Sequence, residues 1–121
     1  MALGTPVLVL HTTGRRSGRV CATTLAFARM EDGALLVVGG AGGQARIPDW
    51  VANLRAEPVA AVTLDQVRLE VRAVELTGME REERWRVLRT VWPRIDAYER
   101  RAGRAVPVFH LTTGAGSAPP G

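Results

Sequence analysis

The chain has a single cysteine, Cys21, no lysine, and few aromatic residues: three tryptophans, two phenylalanines and one tyrosine. One cysteine excludes an internal disulfide and a cysteine-based metal cluster, which agrees with a reducing compartment. No apolar run approaches the roughly 20 residues that span a bilayer. Met1–Leu10 lacks the basic start and small-residue cleavage site of a signal peptide, so the expected location is the cytoplasm. All 16 basic residues are arginine, set against 12 acidic ones for a net charge of +4. Arginine codon bias explains this simply. A functional explanation is an anionic partner, because the planar guanidinium fork suits phosphate and carboxylate. The arginines are scattered and the net charge is small, so nucleic acid is not an expected partner. At 121 residues the chain is one domain, or one subunit whose site a partner completes.

The β-branched run Thr5–Thr12 reads as a buried strand, followed by a turn from Thr13 to Arg19 with two glycines. A second strand runs from Val20 to about Met30, and Asp32-Gly33 turns the chain back into Ala34–Gly39. The loop Gly39–Gly43 follows, with little side chain to keep a ligand from its backbone. Pro48 suits the first position of a helix that stops by Glu57, ahead of Pro58. Val59–Leu64 and Val67–Leu76 form a hairpin around Asp65-Gln66. In the second strand Val67, Leu69, Val71 and Ala73 share one face, and Arg68, Glu70 and Arg72 share the other. Thr77 and Glu80 have capping-box spacing and open a long amphipathic helix with Trp85, Leu88 and Trp92 on one stripe. Glu80–Arg84 and Glu82–Arg86 are expected as outward i,i+4 pairs. Pro93 breaks this helix, the second piece ends near Gly103, and Val106–Leu111 is the last strand. The order β, ββ, α, ββ, α(α), β predicts a mainly β fold: about six antiparallel strands in a small barrel with two or three helices. The barrel domain is expected over residues 1–111, with 112–121 a disordered tail.

Two segments carry candidate chemistry. In Thr12–Arg19, backbone N–H groups of a glycine-containing turn can form an anion-binding nest, with Arg15, Arg16 and Ser17 adding charge-assisted bonds. A solvated basic hairpin turn is the competing reading. In the second segment, Gly39–Gly43 feeds a helix N-terminus, a place for anions or polar ligand atoms. Trp50 and Asn53 share one face of that helix and could flank a planar ring. Alternatively, Trp50 is core and Asn53 bonds the backbone.

The string TTGRRSG after an apolar strand, the paired glycines, the helix P-x-W-x-x-N-L-x-A-x-P (Pro48 to Pro58) and the late Trp-Pro helix ending before a VP-type strand resemble the deazaflavin-dependent (F420-dependent) nitroreductase and quinone reductase family. The resemblance covers roughly Val7 to Leu111. It implies a split β-barrel of the FMN-binding type and hydride transfer from reduced coenzyme F420 to a lipophilic quinone, nitroaromatic or enone. FMN ranks behind F420 as cofactor. By the same resemblance, Arg15, Arg16 and Ser17 would hold the cofactor's phosphate and acidic tail. Gly40, Ala41, Gly42, Gly43, Trp50 and Asn53 would line its ring, and Tyr98 would face the substrate as the catalytic residue. A homodimer is implied too. The sequence departs from the family at Gly40 and Ala41, where a serine and then a lysine are frequent, at Cys21 in place of a basic residue, and at Ile95 in place of a tyrosine. These departures define an alternative: a divergent member that has lost F420 and binds another small molecule, or catalyses a cyclisation or isomerisation, in the same pocket.

The cofactor carries the hard chemistry in such a protein, which fits a sequence with no visible triad. His11 and His110 have no carboxylate nearby in sequence, Cys21 reads as a buried small hydrophobe, and no metal site is expected. The Trp85/Leu88/Trp92 stripe reads as the face packed on the barrel, with a lid or a peripheral membrane contact as its second reading.

Overall fold

A type I′ hairpin turn needs positive φ at both central positions, and Asp65 and Gln66 adopt φ of 52° and 68°. They join β5 (Val59–Leu64) to β6 (Val67–Glu75) in the register Leu64 opposite Val67. The computed structural model describes residues 6–39 and 45–113. The remaining elements are β1 (Val7–Thr13), β2 (Val20–Ala26), β3 (Ala28–Arg29), β4 (Leu35–Val38), α1 (Asp49–Ala56), α2 (Gly78–Val91), α3 (Ile95–Ala102) and β7 (Val108–Thr113). Seven strands, every pair antiparallel, lie in the order β2-β1-β5-β6-β7-β4-β3.

The first and last strands of that order, β2 and β3, are separated in the chain by Phe27 alone. A sheet whose two ends meet at one residue must curl, and this gives the split barrel. The strand expected over Val20–Met30 is therefore two strands. Phe27 turns the corner, points into the core and donates its N–H to Pro6 O at 3.3 Å. Asp32-Gly33 makes the β3–β4 hairpin as expected, with Gly33 at φ 90° and Asp32 Oδ1 accepting the Ala34 N–H.

Two apolar clusters stabilise the curl. Inside the barrel, Leu8, Leu10, Val62, Val71 and Leu111 pack against Trp50, Val51 and Leu54 of α1. On the outer face of β4 and β7, Leu36 and Val108 pack against Trp85, Leu88 and Ile95 of α2 and α3. Each such aliphatic side chain contributes about 1.5–3 kcal/mol by leaving water. The tryptophan stripe thus faces inward, with Trp92 half-buried against the same cluster. Ile95 is a core residue at 1% exposure.

Several expectations are corrected. Pro48 precedes α1 as its N-cap instead of opening it, and Thr77 caps α2 with no side-chain bond. The alternation in β6 holds, but Val67 and Leu69 are exposed, because helix and barrel cover begins only at Val71. The outward pairs of α2 do not form among the described residues. Arg81 instead crosses to Glu99 on α3 at 2.8 Å, and Arg89 to Asp96 at 2.6 Å. Thr112 and Thr113 belong to β7, paired with Arg72 and Val71, while residues 114–121 lie outside the described residues. Pro93 separates α2 from α3, and Gly103 ends α3 in the left-handed region, as the sequence implies.

Candidate functional site: an arginine turn locked onto helix α1

Strands β1 and β2 end at Thr13 opposite Val20, and the turn between them closes through Gly14 N–H to Arg19 O at 2.7 Å and Gly18 N–H to Gly14 O at 2.8 Å. Gly18 sits at φ 73°. A Cβ on Gly14 would come within 2.7 Å of Ser17 Oγ and 3.2 Å of Arg19 O, so a side chain there would displace the Ser17 hydroxyl. Ser17 Oγ accepts the Arg19 N–H at 3.1 Å. Arg15 N–H is also taken, by Asn53 Oδ1 at 3.1 Å. This narrows the expected backbone nest to the successive N–H groups of Arg16 and Ser17, with side chains supplying the other donors.

Thr12 and Asn53, at 2% and 3% exposure, are the buried polar residues among those described, and they meet here. Asn53 Nδ2 donates to Thr12 Oγ1 at 3.2 Å. Its Oδ1 accepts from the Arg15 N–H and from Arg15 Nη1, the latter at 2.9 Å. A buried amide is costly unless both ends are bonded, so this triangle fixes α1 against the turn. Arg15 also reaches Asp49 Oδ1 at 3.5 Å, and Arg46 reaches the same oxygen at 3.1 Å. Arg16 and Arg19 are exposed, with no carboxylate partner among the described residues. The turn therefore presents unneutralised guanidinium groups and the Ser17 hydroxyl on a rigid base, a donor set that fits phosphate and carboxylate oxygens.

The other sequence candidates are distributed as follows. Trp50 is 5% exposed and packs edge-on against Phe109, with ring centroids 5.8 Å apart. Asn53 is bonded to the turn. In this structure both residues set the position of α1 instead of offering a free face. Gly40, Ala41, Gly42 and Gly43 lie outside the described residues. Tyr98 is half-buried on α3, and its hydroxyl has no partner among the described residues. Cys21 is exposed, contrary to expectation, because the inner face of β2 lacks cover at its start; its Sγ lies 3.7 Å from Arg19 O.

Sequence reasoning missed a second polar group. Register places His11 beside Ala61 and Ala61 beside Glu70, so His11, Arg68 and Glu70 share a groove of about 400 Å³ that begins at Thr13 and Val20. His11 Nε2 lies 2.8 Å from Thr63 Oγ1. Burial first, and Arg68 second, hold His11 below the ordinary histidine range. Only strand register, which spacing cannot reveal, brings these residues together. A larger, mostly apolar groove of about 560 Å³ is lined by Val7, Phe27, Met30, Leu64, Val87 and Val91. It sits at the opposite end of β1, roughly 20 Å from the arginine turn at strand rise, and is not part of this site.

Over residues 1–113 the chain matches the family described as F420H(2)-dependent quinone reductase. The chain belongs to that family. An F420H(2)-dependent quinone reductase of Mycobacterium tuberculosis (strain H37Rv) is 34% identical over 110 residues, covering 88% of this chain and 73% of the relative. A solved F420-H2 dependent reductase superposes with a TM-score of 0.77 at 30% identity, over 88% of this chain and 94% of its own. A structure described as a domain-swapped dimer gives 0.78 at 30% identity, over 93% and 84%. Coenzyme F420 is thus the family's cofactor, oxidoreduction its chemistry, and the curled antiparallel sheet its split barrel.

Proposed function

We propose that this chain transfers hydride from reduced coenzyme F420 to a lipophilic quinone, nitroaromatic or enone. The observation that carries the reading is the arginine turn, braced from behind by the buried Asn53–Thr12 pair and presenting Arg16, Arg19 and Ser17 to solvent. In this reading Arg15, Arg16 and Ser17 hold the cofactor's phosphate and acidic tail. Trp50 and Asn53 set the face of α1 behind the ring, Gly40–Gly43 complete that side, and Tyr98 faces the substrate. When bound, F420H2 supplies the hydride. The chain's own residues bind its anionic end, orient the ring and keep water from it. A homodimer, supported by the similar domain-swapped dimer, and a cytoplasmic location complete the proposal. Membrane contact through the tryptophan stripe has no support, since Trp85 is buried and Trp92 half-buried.

The alternative, a member that has lost F420, is not favoured by the family match. One of its motives also weakens, because Ile95 is a packing residue of the outer cluster. Mixing purified protein with F420H2 and a naphthoquinone, and following reoxidation by absorbance and fluorescence, tests the proposal. Quinone-dependent reoxidation is expected. Failure to bind F420 would move the protein to the alternative, and F420 binding without turnover of any of the three acceptor classes would contradict the proposed acceptors.

A further inference from the structure

We infer that Arg104 is a positioning residue for the cofactor site, holding both ends of the β4–α1 connection so that α1 begins in register with the arginine turn. The inference rests on the F420 reading above for its functional consequence. Gly103, at φ 69°, turns the chain out of α3 and donates its N–H to Glu99 O and Arg100 O. The strap that follows is fixed on both sides. Val106 N–H donates to Glu99 Oε2 at 2.9 Å, and Val106 O accepts from Arg81 Nη2 at 2.7 Å. Arg81 and Glu99 are themselves paired at 2.8 Å. Pro107 O accepts the Gly39 N–H at 2.8 Å.

From this base the Arg104 guanidinium reaches the far side of the site. Its Nε donates to Ala45 O at 2.8 Å, and its Nη2 donates to Arg46 O at 3.1 Å and to Gly39 O at 3.2 Å. Carbonyls from the two ends of the connection therefore converge on one nitrogen. Gly39 is pressed against α1, where a Cβ would come within 2.7 Å of Val51 Cγ2. The Arg46 side chain pairs with Asp49, whose carboxylate also faces Arg15. Arg104 thus acts through backbone on Arg46, through Arg46 on Asp49, and through Asp49 on Arg15. A fork of several fixed N–H donors can hold separate carbonyls at once, which lysine's single nitrogen cannot do in the same geometry. The bonds to Ala45 and Arg46 are exposed, so water can replace them. Truncation should cost the site its alignment more than it costs the fold its stability.

The experiment compares wild type, Arg104→Ala and Arg104→Lys by F420 fluorescence titration, thermal unfolding, and hydrogen exchange at Gly39 and over residues 51–56, whose amides are hydrogen-bonded. Arg104→Ala is expected to bind F420 roughly tenfold more weakly and to lose protection at Gly39 and in the first turn that begins with Val51. Its midpoint should fall by no more than about 4–8 °C, and Arg104→Lys should lie between the two. Unchanged affinity and exchange in Arg104→Ala overturns the inference. So does a loss of protection spread evenly over the chain, which assigns Arg104 to general stability. If Arg104→Ala does not fold, Arg104→Lys decides by the same two readouts. Failure of the wild type to bind F420 sinks the cofactor reading; exchange alone then decides, with local loss upholding the positioning role and no change overturning it.

Discussion

Two regions of the molecule use arginine in opposite ways. Between α2 and α3 the guanidinium groups are consumed. Arg81 stacks over Trp85 at 4.5 Å while bonding Glu99 and Val106 O, and Arg89 shares Asp96 with the Trp85 indole N–H. At the β1–β2 turn, Arg15 is half-occupied by Asn53 and Asp49, and Arg16 and Arg19 are left to solvent. The same side chain is structural where a carboxylate and an indole meet it, and available where one acid, Asp49, is shared by two arginines. Total charge is therefore a weak guide to a site. Local imbalance on a rigid base is the better one.

The contrast can be broken most strongly on its structural side. Trp85→Ala removes a side chain at 2% exposure together with its bond to Asp96, and is expected to destabilise the fold by about 3–5 kcal/mol. Denaturant unfolding measures this, and F420 affinity of the folded fraction should stay unchanged. Asn53→Ala touches packing and binding together, since it strands Thr12 Oγ1 and frees Arg15. It is expected to cost about 1–3 kcal/mol of stability and also to weaken F420 binding; affinity equal to wild type would contradict its bracing role. The smallest effect concerns pH. His11 is held below its ordinary value by burial and then Arg68, and Asp96 below its own by the bonds from Arg89 and then Trp85. Both folded-state values are depressed, so both contributions are complete above the unfolded values and fade on acidification. The His11 share fades below about pH 6.5 and the Asp96 share below about pH 3.9. Unfolding midpoints at pH 7.5 and 5.5 should differ slightly, and less in His11→Asn.

Much of this was legible in the sequence where a local rule governs. Asp65-Gln66 and Asp32-Gly33 gave their hairpins, Pro93 and Gly103 the ends of α2 and α3, and the Trp85/Leu88 spacing the packed face. What stayed hidden depends on contacts between distant residues. Phe27 splits a strand because the sheet must close, which no pattern within Val20–Met30 announces. Arg81 reaches Glu99 while keeping Glu82 of its own helix, because α3 folds back alongside α2. At the site, the Arg15-Arg16-Ser17 turn stood out by composition. That Asn53 braces it, that all but two of its own N–H groups are spent, and that Cys21 is exposed follow only from how β1, β2 and α1 meet.

The central claim is that the exposed arginines of this turn hold the anionic end of F420. The most direct measurement is a titration of wild type and the Arg15→Ala/Arg16→Ala double variant with F420, at low and high salt. Two lost charge-assisted bonds should weaken binding by roughly 100-fold or more, with a smaller salt dependence in the variant. A double variant that remains folded and binds F420 as wild type does would contradict the account.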